Sequence, residues 1–124
     1  MIMVVEPEPL QALSVRKLVL ESAKFNVLTA HSTVEAIDCL KLFPNIAAAV
    51  LVAEYNIRCD AIAQAIKNDL PQIPVIALSA RDGFKCAGAD HHLSSYNPEH
   101  LVQLVRELLG DPRTTEVQKN KIPL

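Results

Sequence analysis

Ala47-Ala48-Ala49-Val50-Leu51-Val52-Ala53 is an unbroken run of small or apolar residues, and Glu54-Tyr55-Asn56 follows it directly. A run without polar alternation is typical of a strand that is covered on both faces, like the central strand of a parallel sheet. In open α/β sheets, functional groups lie just beyond the carboxyl ends of such strands. The sequence therefore predicts a site near Val52 and Glu54.

The length, composition and net charge limit the classes of protein to which this chain can belong. With 124 residues, the chain can form one domain with a real core. Half of the residues are apolar, but Trp is absent, so the core must consist mainly of Leu, Val, Ile and Ala. The net charge of −2 gives no basic field, so we expect this domain to bind neither nucleic acid nor a membrane.

The cysteines and the apolar segments indicate a cytoplasmic protein. Cys39, Cys59 and Cys86 are odd in number and far apart, which is typical of reduced thiols and not of a disulfide framework or zinc site. Cys59 and Cys86 fall near predicted helix starts, where a thiol pKa can be lowered, although small semi-buried residues are the simpler interpretation. The sequence shows neither a signal peptide nor a membrane span.

Periodicity and stop signals predict the remaining elements. Ser32-Thr33-Val34-Glu35 has the pattern of a capping box, which opens a helix. Asn97-Pro98-Glu99 predicts another helix start, with Asn as the cap and Pro in the first turn. We predict strands at 2–5, 25–30, 47–53, 73–78 and 89–93, and helices from residue 10 to about 20, at 34–43, 60–70 and 98–109, with a short one at 84–88.

Strands that alternate with helices in short steps form a βα repeat. The physical solution is a parallel sheet with helices on both faces and right-handed crossovers, which is a three-layer α/β/α fold. This domain spans residues 1–110. The segment 111–124 is polar without apolar periodicity and is interpreted as a tail or a linker.

An ordered set of segments resembles the receiver domain of two-component response regulators. The resemblance extends from residue 1 to about residue 110. It implies a flavodoxin-like fold whose five-stranded parallel sheet has the order 2-1-3-4-5. The segments that carry it are Val4–Leu10, Ala30–Ala36, Ile73–Ala80, Gly88–Leu93 and Pro98–Leu101.

The resemblance also implies a phosphorylation chemistry. Receiver domains transfer a phosphoryl group to an aspartate at the end of the third strand. Two acids after the first strand help to hold Mg²⁺, which requires oxygen ligands. A Ser or Thr after the fourth strand and a Lys after the fifth contact the phosphoryl group, which needs nearby positive charge.

At several of these positions, this chain lacks the residue that the phosphorylation chemistry requires. Glu6 stands at the first acid, but Pro7 stands at the second and offers no side-chain ligand. Val52 best fits the acceptor position, with the following loop about one residue short, and a valine cannot be phosphorylated. Ser79 fits the hydroxyl position, and Ser95 falls at the lysine position. His92 takes the place of the aromatic switch residue on the fifth strand.

The resemblance therefore predicts a degenerate receiver, or pseudo-receiver, in which the fold is kept and the phosphorylation chemistry is lost. We expect a non-enzymatic signalling module without a cofactor, which binds a protein partner or an effector domain. The last strand and the last helix could also form a homodimer face. The exposed positions of that helix are His100, Gln103, Arg106 and Glu107.

Alternatives remain open. Glu54 could be the acceptor in a shifted register, or a fixed negative charge that imitates the phosphorylated state. Glu6, Glu8 and Glu54 could hold a divalent ion such as Mg²⁺. The crevice at the strand ends could also bind a small ligand, since loss of the charged cluster would leave an apolar pocket. His91 and His92 are adjacent on a strand and point to opposite faces, so they cannot hold one ion together.

Overall fold

The computed structural model describes residues 1–7, 15–54, 57–94 and 97–112. In this part of the chain, five strands alternate with four helices. No helix there is long and apolar enough to cross a membrane. In chain order the elements are β1 (Ile2–Val5), α1 (Val15–Ser22), β2 (Val27–Ala30), α2 (Thr33–Leu42), β3 (Ala48–Val52), α3 (Cys59–Asp69), β4 (Val75–Ser79), β5 (His91–Ser94) and α4 (Pro98–Leu109).

The strands form one sheet in the order β2-β1-β3-β4-β5, and every neighbouring pair is parallel. This order and the flavodoxin-like class are those predicted from the sequence. β3 lies at the centre, and all five of its residues are buried, as expected for a strand covered on both faces. The central position explains why the run from Ala47 to Ala53 has no polar alternation.

Successive side chains of β3 enter two different cores. Ala49 and Leu51 pack in a buried cluster with α2 and α3. Val50 and Val52 pack on the opposite face of the sheet, against α1 and α4. This division follows from the two-residue period of a strand, and it fixes which side chains can reach the α3 side of the sheet.

The predicted helix starts of α2 and α4 are confirmed. The Ser32 side chain caps α2 by accepting a hydrogen bond from the Glu35 N–H at 3.0 Å. In turn, Glu35 Oε2 accepts a hydrogen bond at 3.3 Å from the N–H of His31, which lies one residue before the cap. Asn97 caps α4 by accepting from the His100 N–H, and Pro98 occupies the first turn.

The short helix predicted at 84–88 is wrong, because residues 80–90 connect β4 to β5 without a helix. Five residues cannot offset the cost of helix nucleation. The Cys86 N–H instead donates to His92 at 2.9 Å. Gly88 has a φ of +90°, and a Cβ there would lie 3.2 Å from the Cβ of Ala63, so the loop packs tightly on α3.

The predicted boundaries of the other elements are accurate to a few residues. β2 begins at Val27 and β5 at His91, each two residues later than expected. Residues 8–14, where the first helix was predicted to begin, lie outside the described residues. So does most of the segment 111–124, and the domain boundary near residue 110 stays a prediction.

Asp90 fastens the start of β4 to α3. Its carboxylate accepts hydrogen bonds from the Val75 N–H at 2.7 Å and from Lys67 Nζ at 2.8 Å. Desolvation raises the pKa of Asp90, but the bonds from Lys67 and Val75 outweigh it and hold the pKa below its ordinary value. The side-chain carboxylate therefore contributes stability in its ionised form.

We expect Asp90→Ala to lower the free energy of unfolding by about 1–3 kcal/mol at pH 7, because the buried Val75 N–H loses its acceptor. In the unchanged protein this contribution is complete above the ordinary carboxyl pKa and is lost as the pH falls through the lowered one. Urea unfolding between pH 7 and pH 3 measures both effects. The exposed Asp82→Ala is the matched control, and equal stability of the two variants would contradict the role of Asp90.

Candidate functional site

A cavity of about 990 Å³ lies where β3 and β4 end and α3 begins. We call it the strand-end crevice. It is the location at which open α/β sheets present their functional groups. Its wall combines apolar, polar and charged side chains. They are Arg16, Ala53, Glu54, Ile57, Arg58, Cys59, Asp60, Ser79, Ala80, Arg81, Phe84, Lys85, Cys86 and Ala87.

The side chain at the end of β3 that lines the crevice is Ala53, whereas Val52 is absent from the wall. Val52 is 1% exposed and packs in the cluster on the α1 and α4 face. Ala53 belongs to the cluster on the α2 and α3 face. Val52, which the sequence matched to the acceptor position, thus packs in a core, and its neighbour Ala53 borders the crevice instead.

Glu54 borders the crevice. It is half-buried and lines the wall, and its charge contributes to raising the pKa of Glu6. Two carboxylates therefore lie near each other at the ends of β1 and β3.

Glu6 is a buried acid held by a basic side chain. Arg16 Nη1 lies 3.3 Å from Glu6 Oε2, and the two side chains are 26% and 7% exposed. The His31 ring Nδ1 is 3.3 Å from the backbone oxygen of Glu6. Burial raises the pKa of Glu6, and the charges of Arg16 and His31 offset only part of that rise.

Ser79 is buried at the carboxyl end of β4, and its hydroxyl oxygen accepts a hydrogen bond from the Arg81 N–H at 3.0 Å. Ser79 is thus the last residue of β4, whereas the sequence placed it directly after that strand. Ser95 lies outside the described residues, so its position in the site stays a prediction. In the parallel register, Ser94 is the partner of Ser79.

His92 and His91 point to opposite faces of β5, in agreement with the strand period. His92 pairs with Ala77, on the α3 side, and its Nε2 accepts from the Cys86 N–H. Both histidines are half-buried. His92 fixes the β4–β5 loop through this bond.

The residues present do not fit a receiver-type magnesium site. Mg²⁺ needs several oxygen ligands in octahedral geometry. Pro7 supplies no side-chain oxygen, Ala53 is apolar, and Glu6 is paired with Arg16. Within the described ranges, no group of three His, Cys, Asp or Glu side chains could hold a metal ion. Glu8, which was also considered as a ligand, lies outside those ranges.

Cys59 and Cys86 both line the crevice and are both buried. Burial raises the pKa of the Cys86 thiol well above its ordinary value, and contact with the Cys59 thiol adds to the rise. The lowered thiol pKa considered from the sequence is therefore wrong for Cys86. It is a neutral thiol at physiological pH, consistent with a packing role.

The crevice is not the apolar pocket that the sequence suggested. Arg16, Arg58, Arg81 and Lys85 line it, against the acids Glu54 and Asp60. Sequence reasoning missed these basic residues because it followed the positions of the receiver pattern. A signal was present, since Arg58, Arg81 and Lys85 follow the third and fourth strands, whose carboxyl ends meet at one edge of the sheet.

At the level of sequence, no protein-family model and no curated protein matches this chain. Solved structures do match. The response regulator TrrA of Thermotoga maritima, in complex with Mg(2+)-BeF, is 25% identical with a TM-score of 0.73, covering 87% of this chain and 97% of that one. The receiver domain of a sensor histidine kinase from Pseudomonas aeruginosa PAO1, with magnesium in its active-site cleft, is 19% identical with a TM-score of 0.75, covering 88% and 96%.

A third similar structure is that of a receiver modulated cyclase. It is a response regulator receiver modulated diguanylate cyclase from Pelobacter carbinolicus, which is 20% identical with a TM-score of 0.66 and covers 97% of this chain and 98% of that one. These similarities extend over nearly the whole of each matched chain. The chain therefore has the fold of a response regulator receiver domain.

Proposed function

We propose that this domain is a pseudo-receiver, which keeps the receiver fold for signalling but is not phosphorylated at the usual site. The observation that carries the proposal is the side chain at the end of β3. Ala53 lines the strand-end crevice where an acceptor carboxylate would be needed, and Val52 is buried in the opposite core. Neither side chain has an oxygen to accept a phosphoryl group.

The neighbouring groups support the same proposal. A divalent ion would compete with Arg16 for Glu6, because the guanidinium already lies 3.3 Å from that carboxylate. The second acid position holds Pro7. Aspartyl phosphorylation depends on the metal to neutralise the charge that develops during transfer. A site that fits no Mg²⁺ would therefore be a poor phosphoacceptor even with an acid nearby.

Signalling would then run through binding surfaces to a protein partner or to an effector domain. The matched protein from Pelobacter carbinolicus is a receiver modulated cyclase, which is a precedent for control of an attached domain by this fold. The α4 helix offers a surface of mixed charge and apolar groups, with His100, Gln103 and Glu107 exposed. Together with β5, it is the face that we propose for self-association.

The orientation of Glu54 favours one second candidate. Because Glu54 lines the crevice beside Glu6, it could accept the phosphoryl group itself, or act as a fixed negative charge. Phosphodonor treatment separates the candidates. A pseudo-receiver keeps its unmodified mass in the presence of Mg²⁺ and acetyl phosphate, whereas an acceptor at Glu54 gains a phosphoryl group that Glu54→Gln abolishes.

A further inference from the structure

The strand-end crevice concentrates positive charge on a chain whose net charge is −2. Its wall holds four basic side chains and two acidic ones. Arg16 is already paired with Glu6. The groups that remain to meet a ligand are therefore Arg58, Arg81 and Lys85, which come from the two loops that follow β3 and β4.

These basic groups are available to a ligand. Arg58 has only a loose pair with Asp60, at 3.8 Å between two side chains that are 72% and 56% exposed, and such surface pairs contribute little. Arg81 and Lys85 are exposed, and neither forms an ion pair with a residue that the structure describes. The Arg81 guanidinium lies over the Phe84 ring, 5.2 Å from its centroid, which holds it at the wall.

Hydrogen-bond donors complete the polar part of the crevice. Ser79 is only 7% exposed and lines the wall, and its hydroxyl donates to no other described residue. α3 begins at the wall with Cys59, and the side chain of its cap residue Arg58 makes no capping bond. The N–H groups of its first turn, together with the helix dipole, add to the attraction for an anion.

Apart from these groups and the two acids Glu54 and Asp60, the wall is mainly apolar. Ile57 and Cys59 are buried, and Phe84 is half-buried beside Arg81. The volume of about 990 Å³ is far larger than a single inorganic anion needs and lies within the range of small-molecule sites. An occupant that fills it would carry an anionic end and a larger apolar or aromatic end.

We infer that the strand-end crevice binds a small organic phosphate with a planar apolar part, of the size of a mononucleotide. The phosphate would be held by Arg58, Arg81, Lys85 and the Ser79 hydroxyl, since guanidinium groups match phosphate oxygens in pairs. The planar part would lie against Ile57 and Phe84. The proposed binding is non-covalent and needs no metal.

Isothermal titration of the full chain with ADP, in buffer with a metal chelator, tests this inference. Pyrophosphate and adenosine are titrated separately as the two halves of the probe. We expect ADP to bind more tightly than either half, and to bind more weakly as the salt concentration rises. We expect the double variant Arg81→Gln/Lys85→Gln to weaken ADP binding at least about tenfold.

Lys41→Gln is the matched control, because Lys41 is an exposed base in the last turn of α2. It should leave the Kd unchanged. Absence of ADP binding at millimolar concentration would overturn the inference. Equal affinity for pyrophosphate and ADP would overturn the planar apolar part of the proposed ligand. An unchanged Kd in the double variant would overturn the location of the site in the strand-end crevice. Thermal unfolding verifies that each variant is folded, and none of these outcomes depends on phosphodonor treatment.

Discussion

Val52→Asp is expected to lower the free energy of unfolding by about 4–7 kcal/mol at pH 7, which is a large part of the stability of an ordinary domain. Val52 is 1% exposed and packs among apolar side chains on the α1 and α4 face. An aspartate there must either be protonated or remain charged in a core. Its folded-state pKa would be raised, so the lost stability should return as the pH falls towards the ordinary carboxyl pKa.

Ala53→Asp should cost far less, about 2 kcal/mol or less, because a carboxylate at this position reaches the crevice and its basic side chains. Urea unfolding at pH 7 and pH 5 compares the two variants, with Val52→Asn to separate lost packing from charge. The reverse order of stability would contradict the assignment of Ala53, and not Val52, to the crevice.

Arg16→Ala is expected to destabilise the domain by about 2 kcal/mol. Removing one partner of a fully buried ion pair costs roughly 3–5 kcal/mol, and the partial exposure of Arg16 reduces this. Adding Glu6→Gln to Arg16→Ala should restore most of the lost stability, because the side chain at position 6 is then neutral. A double variant no more stable than Arg16→Ala would show that the charge of Glu6 is not the cause.

The same pair has a defined pH dependence. Burial raises the pKa of Glu6 in the folded state, so ionisation of Glu6 opposes folding. Stability should therefore fall as the pH rises from the ordinary carboxyl pKa through the raised one, and more steeply in Arg16→Ala than in the unchanged protein. Glu6→Gln should remove this slope, and urea unfolding at a series of pH values between 4 and 7 measures it.

Much of the fold could be predicted because its signals are local. The buried run of β3, the cap of α2 at Ser32 and the cap of α4 at Asn97 each fix an element from a few neighbouring residues. The strand order came from the resemblance to receiver domains. The helix predicted at 84–88 failed because tertiary contacts of Cys86 and Gly88 decide that loop.

The site was harder to predict, for two physical reasons. A strand covered on both faces has no polar alternation, so nothing in the sequence shows whether Val52 or Ala53 faces the crevice. The pairing of Arg16 with Glu6 joins α1 to the end of β1 and exists only after folding. The basic wall was missed because Arg58, Arg81 and Lys85 lie outside the positions of the receiver pattern, although they follow β3 and β4, which lie side by side.

The central claim is that the retained receiver fold does not accept a phosphoryl group. Its most direct test is the intact mass of the protein after incubation with Mg²⁺ and acetyl phosphate, with a receiver domain of intact acceptor site as the positive control. The account predicts that the mass of this chain stays unchanged. An added phosphoryl group that is stable to isolation and labile to base would contradict it, and its loss in Glu54→Gln would assign the acceptor to Glu54.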